Sequence, residues 1–399
     1  MALLRKAWKK RLQRAGVKEQ DLAADYHVPE VNIANRNSIP AVISDTNLSL
    51  ELEFKDTEVE LKDFTLFLNG VPVKRGDLKG KEGKVMLEVE LASGLNDVAV
   101  KCQNSRGTGS MRESLRVVSP VKEETKPAAY VVAIGVSDYE NGKYNLEYAC
   151  KDAEDFSSAI ADGFGDCYSS IKTLVVRNEE FDNNSCERIR DFLSCSDRDD
   201  TVILFYAGHG VLDSEFDYYL ATGKMDFNNP KAGGILYEDF VGLFEGTRAL
   251  ERYCFIDACH SGEIDKEDYM AVNTIAIPEG EQLLFRNAGA DIKAKDEEVN
   301  RVNALIEELF NDVRWGSGAS VVTSAGAAQL AVEGPQWNNG LFTYCLKKGL
   351  QSNEADFDGD GRVSFEEMIS FATEKVREIS GGRQVPTFRS RIINSALRL

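Results

Sequence analysis

The chain has 399 residues, of which 43% are hydrophobic and 28% charged, a globular composition that excludes wholesale disorder. Acidic residues outnumber basic ones 66 to 47, and the formal net charge of −19 disfavours sequence-independent binding to a phosphate backbone, so no nucleic-acid partner is expected. Eight cysteines without metal-ligand spacing, three histidines (His27, His209, His260) and no apolar stretch of membrane-helix length exclude a zinc-ribbon or disulfide-scaffold class and a membrane span. The expectation is a soluble protein of a reducing compartment, the cytoplasm, with two or three domains.

Residues 1–40 read as a basic N-terminal segment. Within the first twenty, Arg5, Lys6, Lys9, Lys10, Arg11, Arg14 and Lys18 oppose Glu19 alone, and Leu4, Trp8 and Leu12 recur every four residues, the spacing of a short amphipathic helix. It reads either as an anchor on an anionic surface or as a helix packed on acidic protein, its own or a partner's. An upstream activator or sensor would act through this region.

Residues 41–120 change to a period of two. Leu48-Ser-Leu-Glu-Leu-Glu-Phe54, Phe64-Thr-Leu-Phe-Leu68 and Val85-Met-Leu-Glu-Val-Glu-Leu91 alternate apolar and polar side chains, with Asn69-Gly70 as a turn signal. Val98-Ala-Val-Lys-Cys102 and Leu115-Arg-Val-Val118 continue the series, which predicts a small antiparallel, immunoglobulin-like sandwich. Residues 121–127, polar and bracketed by Pro120 and Pro127, form a linker.

From residue 128 onward, apolar runs of strand length alternate with helical stretches. Strands are predicted at 130–136, 171–176, 201–206 and 252–256, and helices at 152–161, 184–193 and 237–245. The class is therefore α/β, a mostly parallel sheet with helices on both faces, in which chemistry sits outside the carboxyl ends of the strands. Two ends stand out. One strand runs into Phe205-Tyr206-Ala-Gly208-His209-Gly210 and the other into Asp257-Ala-Cys259-His260-Ser-Gly262. A thiol and an imidazole so placed can act as nucleophile and base for acyl transfer.

These residues carry a resemblance. Tyr-Ala-Gly-His209-Gly and Asp-Ala-Cys259-His-Ser-Gly, with Asn145-Leu-Glu-Tyr-Ala-Cys-Lys-Asp152-Ala, Gly340-Leu-Phe-Thr-Tyr344 and Gln384-Val-Pro386 in the same order, resemble the caspase-like cysteine peptidases. The similarity is greatest to the metacaspase and bacterial caspase-like branch and covers residues 128–399. It implies a large-subunit-like part at 128–262, a connecting segment at 263–317 and a small-subunit-like part at 318–399. It implies Cys259 as nucleophile, His209 as the acid/base that protonates the leaving amine, and the backbone amides of Gly210 and Cys259 as oxyanion hole. His260 reads as structural.

By the same resemblance, Asp257 and Asp152 line the primary specificity pocket, where two carboxylates favour Arg or Lys and repel Asp. The alternative is that Asp257 caps local backbone amides and Asp152 its own helix. The substrates expected are proteins with exposed Arg or Lys sites. In the connecting segment, 263–291 reads as an irregular polar loop and 293–315 as an amphipathic helix. Lys266, Arg286, Lys293 and Lys295 are candidate self-processing sites.

The last element is a cation loop. Asp356, Asp358, Asp360, Ser364 and Glu367 occupy positions 1, 3, 5, 9 and 12 of a twelve-residue EF-hand-like pattern. Gly361 stands at position 6 and Arg362 at position 7, and helices are predicted at 341–350 and 365–378. The expected cofactor is Ca²⁺. Two readings compete with an active endopeptidase: a caspase-fold pseudoenzyme, and a calcium-binding interaction module.

Overall fold

The computed structural model describes residues 9, 27–120, 126–213, 217–258, 260–261, 284–285, 317–325 and 331–389. The basic helix apart from Lys9, most of the linker, the helix at 293–315, the candidate processing sites and Cys259 itself lie outside the described residues. Among those described, no helix is long and apolar enough to cross a membrane.

The N-terminal unit is a two-sheet antiparallel sandwich. Its strands are β1 (Glu30–Ile33), β2 (Asn47–Lys55), β3 (Leu61–Leu68), β4 (Val71–Asp77), β5 (Glu82–Glu90), β6 (Gly94–Asn104) and β7 (Glu113–Ser119). One sheet has the order β1-β2-β5 and the other β4-β3-β6-β7. The period-two pattern has a direct cause in β2, where Leu48, Leu50, Leu52 and Phe54 face the core and Asn47, Ser49 and Glu51 face water. Asn69 and Gly70, both at positive φ, close the β3–β4 hairpin. The boundary expected at 41 is corrected, because β1 pairs with β2 from Glu30↔Lys55 to Ile33↔Leu52 and belongs to the sandwich. Four residues are too few for alternation to register, so only the partner strand defines this one.

The second unit contains β8 (Ala128–Gly135), β9 (Ser170–Arg177), β10 (Thr201–Ala207), β11 (Gly210–Leu212), β12 (Tyr218–Leu220), β13 (Ile235–Leu236), β14 (Glu251–Asp257), β15 (His260–Ser261), β16 (Leu284–Phe285), β17 (Ser320–Thr323), β18 (Val332–Gly334), β19 (Asn339–Gly340) and β20 (Thr387–Arg389). Its helices are α1 (Ala149–Gly163), α2 (Asn183–Ser194), α3 (Tyr237–Val241), α4 (Leu341–Ser352) and α5 (Phe365–Ile379). The central sheet runs β20-β17-β14-β10-β8-β9 and is parallel except for β20. Successive residues of β10 face opposite cores. Val202, Leu204 and Tyr206 pack with Ile189 and Leu193 of α2 and Phe240 of α3. Ile203 and Phe205 pack with Phe156 of α1, Phe342 of α4 and Met368 of α5. The predicted loop at 263–291 differs in one respect. Leu284 and Phe285, within the short apolar run Leu283-Leu-Phe285, form β16 on β18.

The sandwich docks at the amino-terminal ends of the central strands. Leu250, directly before β14, is 2% exposed and packs within the sandwich core. Arg248 donates to both Glu90 carboxylate oxygens at 3.1 and 2.8 Å and to Asp197 at 2.9 Å. Ser93 donates through its amide and hydroxyl to Asp199, just before β10, at 2.9 and 3.0 Å. Arg252 donates to the carbonyls of Thr247, Ala249 and Ser317, binding the starts of β14 and β17 together. Of these contacts the apolar one dominates, because an exposed ion pair contributes at most about 1 kcal/mol whereas truncating a buried leucine costs about 2–5 kcal/mol. Leu250→Ala is therefore expected to lower stability by about 2–5 kcal/mol and Arg248→Ala by about 1 kcal/mol or less, as read from urea denaturation followed by circular dichroism.

Candidate active site

The site begins in the pairing of β10 with β14, which holds a constant offset of 50 residues from Thr201↔Glu251 to Ala207↔Asp257. Past the strand ends, the Gly208 amide donates to the Asp257 carbonyl at 3.2 Å, and Gly210 of β11 pairs with His260 of β15 at the same offset. The same offset thus continues past both strand ends. Of the predicted site residues, His209, Gly210, Asp152, Asp257 and the cation-loop residues are described, and Cys259 is not.

His209 is 2% exposed and held from three directions. Its carbonyl accepts from the Tyr206 hydroxyl and the Ala221 amide, both at 2.9 Å, and its amide donates to the Tyr139 hydroxyl at 3.2 Å. Its ring stands among Tyr139, Tyr144 and Phe227, at centroid distances of 5.1, 6.3 and 5.6 Å. Nε2 lies 2.8 Å from the carbonyl oxygen of Tyr144. A carbonyl can only accept, so Nε2 carries the proton of the neutral ring and Nδ1 is the basic nitrogen. Tyr144 is in turn fixed by stacking on Phe227 at 3.7 Å and by Lys143, whose ammonium sits 4.6 Å above its ring. Neither Tyr144 nor Tyr139 was marked by the sequence, because one acts through a backbone carbonyl and the other lies 70 residues away from His209.

Asp152 and Asp257 meet at one place, the start of α4. Asp152 is 0% exposed, and its carboxylate accepts from the Gly340 amide at 2.9 and 3.2 Å and from the Asn339 amide at 2.9 Å. Asp257 is 1% exposed, and its Oδ2 accepts from the Thr343 hydroxyl at 2.8 Å. Gly340 is the N-cap of α4 and Thr343 lies in its first turn, so both carboxylates address one helical turn. Asp152 therefore serves the start of a different helix from its own, whose N-cap is Tyr148. The Gly340–Thr343 stretch was part of the family pattern, but Thr343 as a donor to Asp257 was not foreseen. The hairpin carrying Asn339 is tied back twice more, by the Glu147 amide donating to Glu333 and by the Val332 amide donating to Gln384.

The cation-loop residues lie together at the other end of α4. Oxygens of Asp356, Asp358 and Glu367 fall within 4.8 Å of one another. Asp356 accepts from the amides of Gly359 and Gly361, and Asp360 from that of Arg362. Gly361 has φ +83°, the left-handed geometry that the sixth position of such a loop requires. Burial raises the Glu367 pKa, but hydrogen bonds from Ser364, Phe357 and Asp358 outweigh it and hold the carboxyl below its ordinary value. The buried cysteines are of a different character. Burial pushes the thiols of Cys102 and Cys345 up to about 11 and about 12, and that of Cys254 higher, so these stay protonated packing residues.

Residues 128–397 match the caspase domain family. The chain belongs to the caspase family. The match covers more than half of the chain and identifies its second unit as a caspase-like, cysteine peptidase-like domain. Among solved structures, protein GSU0716 from Geobacter sulfurreducens is similar at 17% identity, covering 66% of this chain and 93% of its own, with a TM-score of 0.43. Caspase-1 from Spodoptera frugiperda is similar at 12% identity, covering 68% of this chain and 89% of its own, with a TM-score of 0.39. Fibronectin(III)-like modules of Clostridium thermocellum CbhA align at 13% identity over 25% of this chain and 52% of theirs, with a TM-score of 0.21. At these scores the structural likenesses add nothing to the family match. No curated protein matches the chain.

Gly208 tests the packing behind His209. A Cβ there would stand 2.4 Å from the Tyr206 hydroxyl oxygen and 3.2 Å from that of Tyr139, both of which bond to His209. Gly208→Ala is expected to destabilise this caspase domain by about 1–3 kcal/mol, measured by thermal denaturation, because neither buried tyrosine can move without breaking a hydrogen bond.

Proposed function

We propose that this caspase-family protein is a cysteine endopeptidase in which Cys259 and His209 act as a dyad and cleavage follows Arg or Lys. The observation that carries the reading is the registered pairing of the two strand ends, with His209 presenting a basic Nδ1 because Tyr144 holds its Nε2 proton. The Cys259 thiolate would attack the scissile carbonyl and form a tetrahedral intermediate whose oxyanion meets the amides of Gly210 and Cys259. The thiol proton, taken up by Nδ1 of His209 as the thiolate forms, passes to the leaving amine as the C–N bond breaks. Nδ1 then takes a proton from a water that attacks the acyl carbonyl, and as the C–S bond breaks that proton returns to Cys259.

Specificity rests on charge. Two buried carboxylates, Asp152 and Asp257, converge on one turn of α4 near the end of β14, and their negative charge favours a cationic side chain and repels an acidic one. Fluorogenic peptides ending in Arg, Lys and Asp test this. Arg and Lys peptides are expected to be cleaved at least about 100-fold faster than the Asp peptide, a difference of about 2.7 kcal/mol. Cys259→Ala should be silent and should remain uncleaved at Lys266, Arg286, Lys293 and Lys295 if processing is autocatalytic. Efficient cleavage after Asp, or hydrolysis surviving Cys259→Ala, overturns the proposal. Silence towards every peptide would favour the pseudoenzyme, with a protein activator acting through the N-terminal region as the remaining requirement to test.

We also assign Ca²⁺ to the loop at 356–367. The donors fit a hard cation: Asp356, Asp358, Asp360, Ser364 and Glu367 through side-chain oxygens and Arg362 through its carbonyl. When bound, the ion would supply charge neutralisation among carboxylates gathered within 4.8 Å. Calorimetric titration with CaCl₂ should show one site, and Glu367→Gln should weaken it at least tenfold. At 100 times the dissociation constant the ion should add about 2.7 kcal/mol to stability. Absence of heat and of a melting shift at millimolar Ca²⁺ removes the assignment.

A further inference from the structure

Between β12 and β13 the chain makes a loop that no sequence pattern marked. Residues 221–234 close on themselves: the Thr222 hydroxyl donates to the Gly233 carbonyl at 2.7 Å, the Asp226 amide to the Ala232 carbonyl at 2.9 Å and the Ala232 amide to the Asn229 carbonyl at 2.8 Å. Gly233 turns at φ +90°, a conformation that a side chain would strain. Lys224, Asp226 and Asn228 are exposed, whereas Met225 and Phe227 are buried in the core that also holds Tyr139. The loop supports its own backbone and presents Phe227 inward.

Phe227 is 7% exposed and touches three rings at once. It meets Tyr139 and His209 edge-on, at centroid distances of 5.4 and 5.6 Å and interplanar angles of 72° and 86°, and lies nearly parallel to Tyr144 at 3.7 Å and 23°. The stacked contact bears on the proton of His209. Tyr144 ends a single 3-10 turn, Gly142–Tyr144, and its carbonyl is the acceptor 2.8 Å from Nε2. A turn of three residues has little stability of its own. Gly142, Lys143 and Asn145 around it are exposed, so the Tyr144 ring is its anchor in the core. The Glu140 amide donates to the Gly223 carbonyl at 2.9 Å and joins the two segments a second time.

Resting on the reading of His209 as the acid/base of the dyad, we propose that Phe227 is a positioning residue for that histidine. Its ring holds Tyr144 flat, which keeps the Tyr144 carbonyl on Nε2 and the proton-accepting role on Nδ1. Phe227 acts through Tyr144 and takes no part in the proton transfers. Without the stack the turn drifts, Nε2 loses its acceptor and the ring can exchange tautomer.

Two measurements on the full chain test this. In Cys259→Ala protein labelled with ¹⁵N-histidine, no thiol shares a proton with the ring, and the resonance lost on adding His209→Gln identifies His209. Its Nε2 proton is expected to exchange slowly with water, and Phe227→Ala should accelerate that exchange about tenfold or more, the worth of one hydrogen bond. Phe227→Leu, which keeps most of the apolar volume but has no flat face, should do the same. Leu250→Ala, which weakens a remote contact, should not. In the chain that retains Cys259, Phe227→Leu is expected to lower kcat on an Arg-terminated peptide about tenfold or more, with KM within about twofold of wild type. An unchanged exchange rate in the Phe227 variants, a Phe227→Leu protein that matches wild type, or a loss confined to KM overturns the proposal. Should Phe227→Ala fail to fold, Phe227→Leu decides alone. A wild-type chain silent towards every peptide refutes the dyad reading instead, and the proton-exchange comparison still decides whether Phe227 holds the Tyr144 carbonyl on Nε2.

Discussion

The parallel pairing of β10 with β14 is the constraint on which the rest of the caspase domain depends. Every residue of β10 is buried, with alternate side chains committed to opposite cores. A shift of one residue would exchange Tyr206 for Phe205 and bring a phenol that bonds to His209 and Ala221 into an apolar layer. The register is therefore locked by packing along seven pairs, and the offset of 50 continues past the strand ends to Gly210↔His260. The positions to which we assign chemistry are set by apolar side chains that take no part in it.

Around that frame the buried polar groups are held by one another. Leaving a buried carboxylate unpaired costs several kcal/mol, so Asp152 and Asp257 constrain the structure as strongly as any core residue. Both find donors at the start of α4, where unbonded backbone amides and the positive end of the helix favour negative charge. The same contacts fix the helix. α1 and β14 are thereby joined through α4, although Asp152 and Asp257 are far apart in sequence. At the opposite ends of the strands the sandwich performs a comparable task with apolar means, inserting around Leu250 while Arg252 binds the two strand starts.

What the sequence made legible follows from the range of the forces involved. The alternation of Leu48 through Phe54 and the unbroken run from Tyr130 to Ile134 announced their strands, because burial on one face or two writes a pattern into neighbouring residues. Short strands such as β1, β11 to β13, β18 and β19, of two to four residues, write none and exist only through their partners. The same limit applies at the site. His209 stood out beside its glycines and Asp152 through family resemblance. The Tyr144 carbonyl did not, since any residue type can supply a carbonyl, and Asn339 reaches Asp155 across 184 positions. The EF-hand-like spacing was visible because all of its positions sit within twelve residues. Hydrogen bonds between distant elements leave no periodicity to read.

The two acidic clusters are not independent in space, because α4 runs from one to the other. Its twelve residues span about 18 Å, with Gly340 and Thr343 bonded to Asp152 and Asp257 at one end and the loop beginning at Asp356 just beyond the other. Along this length the helix packs on α1 and α5 through Phe342, Cys345 and Leu346. Interiors at this density do not deform continuously, so a helix held on two faces moves as a body or not at all. A charge change at the loop would reach the carboxylate pair as a displacement of the whole helix, and the Thr343–Asp257 hydrogen bond is the contact that must yield. That bond joins the helix to the last residue of β14, the strand that leads to Cys259. The helix, rather than the loop or the sheet, is the element through which ion binding and peptide hydrolysis would have to be coupled.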